Sequence, residues 1–362
     1  MPNSISEIPS PAVLIDADAL DKNLKRVQAV CDSAGVELWP HIKTHKLVPV
    51  LRRQLELGAK GATCAKIGEA EDMLPSGVKR IFIAHSLADL QKAPRLKALQ
   101  EKLDQLILAV TSELQYEALE KMLEAADIKV DILMAVDTGL SREGARTPEQ
   151  AARLAEKIRQ SSRMTLLGLY THEGHAYSAG SNEEIHRMVP EIREKLAKFA
   201  EAVGGGVTLW PGCSATAEIM ARQPGIHAVR PGSYVFGDLS LSETARIMDF
   251  DDVALNVVTT VLDRPDQGLA LVDAGAKVLS SDRSIGGIFG RGQDLRDLTL
   301  TRLSEEHGFL VGEGVDELPL GQRVRIQPAH VCPVLNLASQ VYLVRGEAVL
   351  EIWPVDARGR SD

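Results

Sequence analysis

The strongest constraint on this chain is a repeated change of period along its first two thirds. From residue 12 to about 245, short apolar runs of strand character alternate with longer amphipathic stretches. VLID (13–16) precedes a helix near 18–34, VELWP (36–40) one near 47–57, and GATCA (61–65) leads into EAEDML. IFIAH (81–85) precedes a helix near 87–102 and LILAV (106–110) one near 112–125, while VDILMAVD (130–137), LLGLYTH (166–172), GVTLWP (206–211) and HAVR (227–230) continue the series. Strand–helix repetition of this kind is the pattern of parallel strands joined by crossover helices. Eight or nine such strands fit a closed (β/α)8 TIM-type barrel better than an open sheet.

Beyond Phe250 helical periodicity fades. DVALNVVTTVLD, GLALVDAG, RVRIQ, QVYLVRG and AVLEIWPV read as strands of a second, mostly antiparallel β domain. The expected division is therefore a barrel over residues 1–245 and a β-rich domain over 246–362, in keeping with a length of 362 residues that suggests more than one core.

The polar residues fall where a barrel keeps its chemistry, at the carboxyl ends of strands. PHIKTHK (40–46) sets Lys43 between two histidines, and an extended segment would put His41, Lys43 and His45 on one face. A lysine held among imidazoles and away from bulk water more readily offers a neutral amine, which condenses with aldehydes and ketones. DTGLSREG (137–144) places Arg142 in a glycine-flanked loop, and THEGH (171–175) supplies His172 and His175. PGCSAT (211–216) and RPGSYVFGD (230–238) are small-residue turns whose backbone amides can close around an anion, aided by a helix expected after Cys213. A lysine for imine formation, a phosphate cradle and an arginine for a phenolate oxygen together match pyridoxal 5'-phosphate. In the second domain, PAHVCP (328–333) spaces His330 and Cys332 two apart, and Pro333 biases Cys332 toward an extended conformation in which both point one way. Imidazole and thiolate suit a borderline divalent ion such as zinc, with open positions for water or substrate. Trp39, Trp210 and Trp353 read as packing residues and His85 and His227 as satisfied strand-end histidines, while Lys277 and Asp282 either flank a tight turn or reach across a subunit interface.

These motifs, in this order and over nearly the whole length, resemble the D-threonine aldolase and D-serine dehydratase family, pyridoxal phosphate enzymes with an alanine-racemase-like barrel. The resemblance implies that Lys43 links to the cofactor, that Arg142 contacts its phenolic oxygen, and that Ser214, Ala215, Gly232, Ser233 and Tyr234 hold its phosphate. By the same resemblance His330 and Cys332 hold a divalent metal (Mn, Mg or Zn) beside a substrate β-hydroxyl, and either His172 or His175 is the general base. The implied activity is cleavage of β-hydroxy D-amino acids, of the D-threonine aldolase type giving glycine and an aldehyde, with D-serine dehydratase chemistry, giving a keto acid and ammonia, as the alternative. His330-Val-Cys332 resembles the dehydratases, whereas PVLNL and EIWPVDARGR resemble the aldolases. A racemase is disfavoured because KTHK stands where racemases carry KxNAYGHG, and a non-catalytic pyridoxal phosphate carrier because it has no need of a second domain.

Charge and composition narrow the partners. A net charge of -9 without a long basic run argues against nucleic acid and anionic membranes. The start of the chain has no basic region followed by an apolar core, and no later segment has the apolar length of a membrane helix. Four scattered cysteines without a C-x-x-C pair suggest a reducing compartment. A soluble cytoplasmic protein acting on a small molecule is the expectation, and the family resemblance implies a homodimer.

Overall fold

The computed structural model describes residues 2–362 and resolves them into two compact units. One consists of residues 27–43, 48–232 and 360–362; the other takes the segment up to Arg26, residues 44–47 and residues 233–359.

In chain order the first strand is β1 (Ala12–Asp16), followed by β2 (Glu37–Leu38), β3 (Ala62–Cys64), β4 (Arg80–Ile83), β5 (Gln105–Val110), β6 (Val130–Ala135), β7 (Met164–Tyr170), β8 (Thr208–Trp210) and β9 (Ala228–Val229). Strands β3 to β8 form one parallel sheet in sequence order, and β2 pairs in parallel with β9. Two seams join these sheets. A parallel bridge links His41 to Thr63, with the Thr63 amide donating to Pro40 at 2.9 Å, and the His227 amide donates to Leu209 at 3.0 Å. The result is a closed ring of parallel strands, as the alternation of the sequence requires.

Its interior is filled by Trp39, Phe82, Ile107, Leu133, Tyr170 and Trp210, all buried. Trp39 and Trp210 meet edge to face at 4.8 Å. Trp39 fits because residue 61 is glycine: a Cβ there would stand 2.5 Å from the indole. Helices on the outside begin at polar caps, Ser112, Thr147 and Ser181, whose side chains accept amide protons of the first turn. The last three residues also belong to this unit, since Arg360 and Asp362 join Glu71 and Arg95 in ion pairs of 2.6 Å.

The second unit is built from β1 with β10 (Leu255–Asp266), β11 (Leu269–Val272), β12 (Gly290–Gly292), β13 (Thr299–Leu303), β14 (Gly308–Val311), β15 (Arg323–Pro328), β16 (Gln340–Arg345) and β17 (Ala348–Pro354). Strands β10, β11, β14, β13, β12 and β15 close on themselves as an antiparallel barrel, because β10 pairs with both β11 and β15. Strand β1 corrects the sequence reading. VLID was expected in the parallel barrel, yet it lies between β10, antiparallel, and β16, parallel. An apolar run buried on both faces satisfies either kind of neighbour, so periodicity alone does not choose its sheet. Among the described residues no helix is long and apolar enough to cross a membrane.

Candidate active site

The carboxyl ends of the barrel strands surround a cavity of about 250 Å3. Lys43 and His41 enter it from the end of β2, His85 from β4, Arg142 and Glu143 from the loop after β6, Tyr170 and His172 from β7, and Arg230 from β9. One expectation fails at Lys43. The chain leaves β2 through a 3-10 turn at Ile42–Thr44, so the alternation that would align His41, Lys43 and His45 is lost. His45 is buried in the other unit, where its Nδ1 accepts the Leu47 amide at 3.0 Å.

The lining is cationic: Lys43, Arg142 and Arg230 face one carboxylate, Glu143, which Arg142 meets at 3.4 Å. Arg142 is exposed, and the loop that carries it is shaped by Asp137, whose Oδ1 accepts the amides of Gly139 and Ser141 at 2.9 and 3.1 Å. Arg230, by contrast, is buried; its guanidinium donates to the carbonyls of Thr171 at 2.6 Å and Trp210 at 3.2 Å and lies over the Tyr170 ring at 5.1 Å. Burial lowers its pKa to about 10, so it stays charged at neutral pH. Gly212 makes room for it, since a Cβ at that position would come within 2.8 Å of the guanidinium.

The two histidines of THEGH separate. His172 lines the cavity, whereas His175 packs against Gly139, where a Cβ would meet its ring at 3.1 Å. The Nδ1 of His172 faces the carbonyl of Gly212, so Nδ1 carries the proton and Nε2 the lone pair. Burial, with Lys43, Arg230 and Arg142 nearby, depresses its pKa to about 3 although the Gly212 carbonyl works the other way. Desolvation lowers His175 too.

The small-residue turns also come together. Ser214 and Ala215 are buried, and the Gly232 amide donates to Ser214 Oγ at 3.0 Å, joining PGCSAT to RPG. The Ser214 amide in turn donates to the Tyr177 hydroxyl at 3.1 Å. Ser233 and Tyr234, buried in a 3-10 turn at Ser233–Val235, belong to the other unit. The helix expected after Cys213 begins only at Ala217 and spans five residues. The two turns are therefore ordered by loop amides and hydroxyls that bond to one another rather than by a helix start. A cationic cavity with a lysine at its wall fits a phosphorylated aldehyde cofactor.

In the second unit His330 and Cys332 adjoin, but not as an extended pair. His330 is extended at the N-cap of a helix, Val331–Leu337, and Cys332 lies in its first turn, where the following Pro333 is tolerated because first-turn amides lack helical partners. His330 Nδ1 meets Asp282 Oδ2 at 2.6 Å, and Cys332 Sγ lies 3.3 Å from Thr44 Oγ1. Burial works against protonation of His330, yet the Cys332 sulfur, Asp238 and Asp282 outweigh it and raise the pKa to about 10. Among the described residues no group of three or more histidine, cysteine or acidic side chains is placed to hold a metal, so this motif offers two ligands and a carboxylate that orients one of them. Lys277 is held by Glu305 and Glu306 at 3.1 and 2.9 Å.

Arg230, Glu173, Tyr177 and the cavity-facing His85 and Glu143 were not singled out from the sequence as site residues. The signal for the first two was present, because Arg230 opens RPGSYVFGD and Glu173 stands inside THEGH.

The profile of the alanine racemase N-terminal domain matches residues 15–240, and one named for serine dehydratase matches residues 254–344. The chain is 32% identical to D-threo-3-hydroxyaspartate dehydratase of Delftia sp., over 92% of this chain and 93% of that protein. It is 28% identical to D-threonine aldolase of Arthrobacter sp., over 99% of this chain and 94% of that protein. The crystal structure of D-threonine aldolase from Filomicrobium marinum superimposes with a TM-score of 0.92 at 29% identity, covering 99% of this chain and 98% of that one. Structures of D-threo-3-hydroxyaspartate dehydratase include a histidine-to-alanine variant and, two positions further, a cysteine-to-alanine variant described as metal-free, the latter at 28% identity with a TM-score of 0.89 over 98% of this chain and 99% of that one. The chain thus belongs to the alanine racemase N-terminal domain family, and within it stands with the D-threonine aldolases and D-threo-3-hydroxyaspartate dehydratases.

Proposed function

We propose that this protein is a pyridoxal 5'-phosphate- and divalent-metal-dependent lyase that cleaves β-hydroxy D-amino acids, of the D-threonine aldolase type, releasing glycine and an aldehyde. The observation that carries the reading is the cationic cavity at the mouth of the barrel, with Lys43 in its wall and the unprotonated Nε2 of His172 beside it. Lys43 would hold the cofactor covalently, Arg142 would face its phenolic oxygen, and Ser214, Ala215, Gly232, Ser233 and Tyr234 would hold its phosphate. When bound, that cofactor supplies an electron sink for the bond broken at the substrate Cα. His330 and Cys332 would hold Mn, Mg or Zn, which supplies Lewis acidity at a β-hydroxyl.

The chain's own groups then have defined work. Arg230, buried and charged, raises the positive potential that draws a carboxylate into the cavity. His172, neutral because it is desolvated, accepts a proton at Nε2, while its Nδ1–H bond to Gly212 fixes the ring. His175, packed on Gly139, buttresses the arginine loop, and so His172 is the proposed general base.

Dehydration to a keto acid and ammonia is the second reading, favoured by the His-x-Cys spacing at 330 and 332, which matches the spacing of the two substituted residues in the dehydratase variants. We further propose a cytoplasmic homodimer. Incubating the purified protein with D-threonine separates the outcomes. Acetaldehyde with glycine supports the aldolase, 2-oxobutyrate with ammonia the dehydratase, and L-allo-threonine an epimerase acting at Cα; no product from D-threonine or from 3-hydroxy-D-aspartate removes the lyase reading altogether.

A further inference from the structure

Glu173 is wholly buried, and both of its carboxylate oxygens are taken up by one loop. Oε2 accepts the Gly212 amide at 2.9 Å and Oε1 accepts the Thr216 hydroxyl at 3.1 Å, so the carboxylate grips PGCSAT at both feet. The preceding residue, His172, donates Nδ1–H to the carbonyl of the same Gly212. The amide and the carbonyl of one glycine are thus fixed by consecutive residues leaving β7. Between the two feet stands Ser214, whose Oγ receives the Gly232 amide at 3.0 Å and whose own amide reaches Tyr177 at 3.1 Å. Burying a carboxylate is costly unless it is fully engaged, and burial raises the pKa of this one, with the loop donors and Arg230 acting the other way. The engagement here is with a segment that itself carries no charged side chain.

We infer that Glu173 is a positioning residue: it sets the shape of the 211–216 loop that receives the cofactor's phosphate and, through Gly212, the orientation of His172. It touches neither substrate nor cofactor. The inference rests on the reading of the barrel cavity as a pyridoxal phosphate site, and the test keeps the two apart.

Full-length protein stripped of cofactor is titrated by absorbance with pyridoxal 5'-phosphate and, in parallel, with pyridoxal, which lacks the phosphate. Glu173→Ala weakens binding of the phosphorylated form by about tenfold or more, the scale on which supporting groups act on a bound ligand, while pyridoxal binding changes by less than about twofold. Glu173→Gln stays within about threefold of the parent, since its amide oxygen still accepts from Gly212 and the Thr216 hydroxyl can rotate to accept from its NH2. Equal losses for both aldehydes, or no loss for either, overturn the inference. Should Glu173→Ala not fold, Thr216→Val removes one foot alone; it then shows a loss confined to the phosphorylated form, and an unchanged ratio overturns the inference. If the parent protein binds neither aldehyde, or binds both alike, the fault lies with the cofactor reading.

Discussion

His172 allows a prediction whose size follows from its surroundings. An unburied imidazole titrates near 6.5, whereas burial holds His172 at about 3 in the folded, cofactor-free protein. Between these values the unfolded chain binds a proton that the folded chain refuses. Stability therefore rises with pH through this window: the contribution is complete above the unfolded value and is lost as pH falls toward the folded one. At about pH 4.5 the unfolded form is almost fully protonated at this residue, and the loss relative to pH 7 amounts to about 2.5 kcal/mol. Burial also raises the pKa values of Glu173 and Asp238, so the pH dependence of the parent alone does not report on His172. Comparison with His172→Gln isolates the one residue. Urea unfolding of both proteins is followed by circular dichroism at several pH values. The parent should lose about 2.5 kcal/mol more than the variant between pH 7 and 4.5. Parallel curves for the two proteins would show that His172 is not held neutral by burial, and its role as a base poised across the neutral range would go with it.

Three other outcomes are expected. The purified protein should be yellow, and borohydride reduction followed by peptide mapping should mark Lys43; a mark on another lysine, or a colourless protein able to turn over substrate, contradicts the cofactor assignment. Chelation should abolish turnover and added Mn, Mg or Zn restore it, with Cys332→Ala losing about 10-fold or more in metal affinity by direct titration; full activity in excess chelator removes the metal. Gly212→Ala should lower the unfolding free energy by about 1–3 kcal/mol, because the new methyl group meets a guanidinium pinned to two carbonyls, and unchanged stability would mean that Arg230 has room to move.

Much of the barrel was legible because its signal is repetitive. Each of β3 to β8 is a short apolar run followed by a helical stretch, and the order of such runs in the sequence is their order in the sheet. The second unit was legible only as strand-rich. Strands β12 to β14 are short, and the Gly-Arg-Gly of β12 carries no alternating pattern, since its partners rather than its side chains define it. Around Lys43 the expected geometry does not hold, although Lys43 and His41 both line the cavity. A turn of period three replaced the assumed period of two, so His41 kept its place by Lys43 while His45 was carried into the other unit. The converse holds at Cys332, where a helix start replaced an extended pair and still brought sulfur and imidazole together. Arg230 and Glu173 stand inside motifs the sequence does single out, but their partners, the Thr171 and Trp210 carbonyls for one and the Gly212 amide and Thr216 hydroxyl for the other, are distant in sequence and cannot be read from local composition.

The placement of β1 also bears on how the protein is made. Strand β1 leaves the ribosome long before its partners β10 and β16, while β2 to β9 need nothing beyond their own stretch of polypeptide to close a ring. During synthesis the amino-terminal strand is an apolar segment with bare edges on both sides, the condition in which nascent chains join one another or recruit a chaperone. Stopping translation before Gln340 should therefore yield insoluble material, because it bares an edge of a strand more than 300 residues earlier in the sequence.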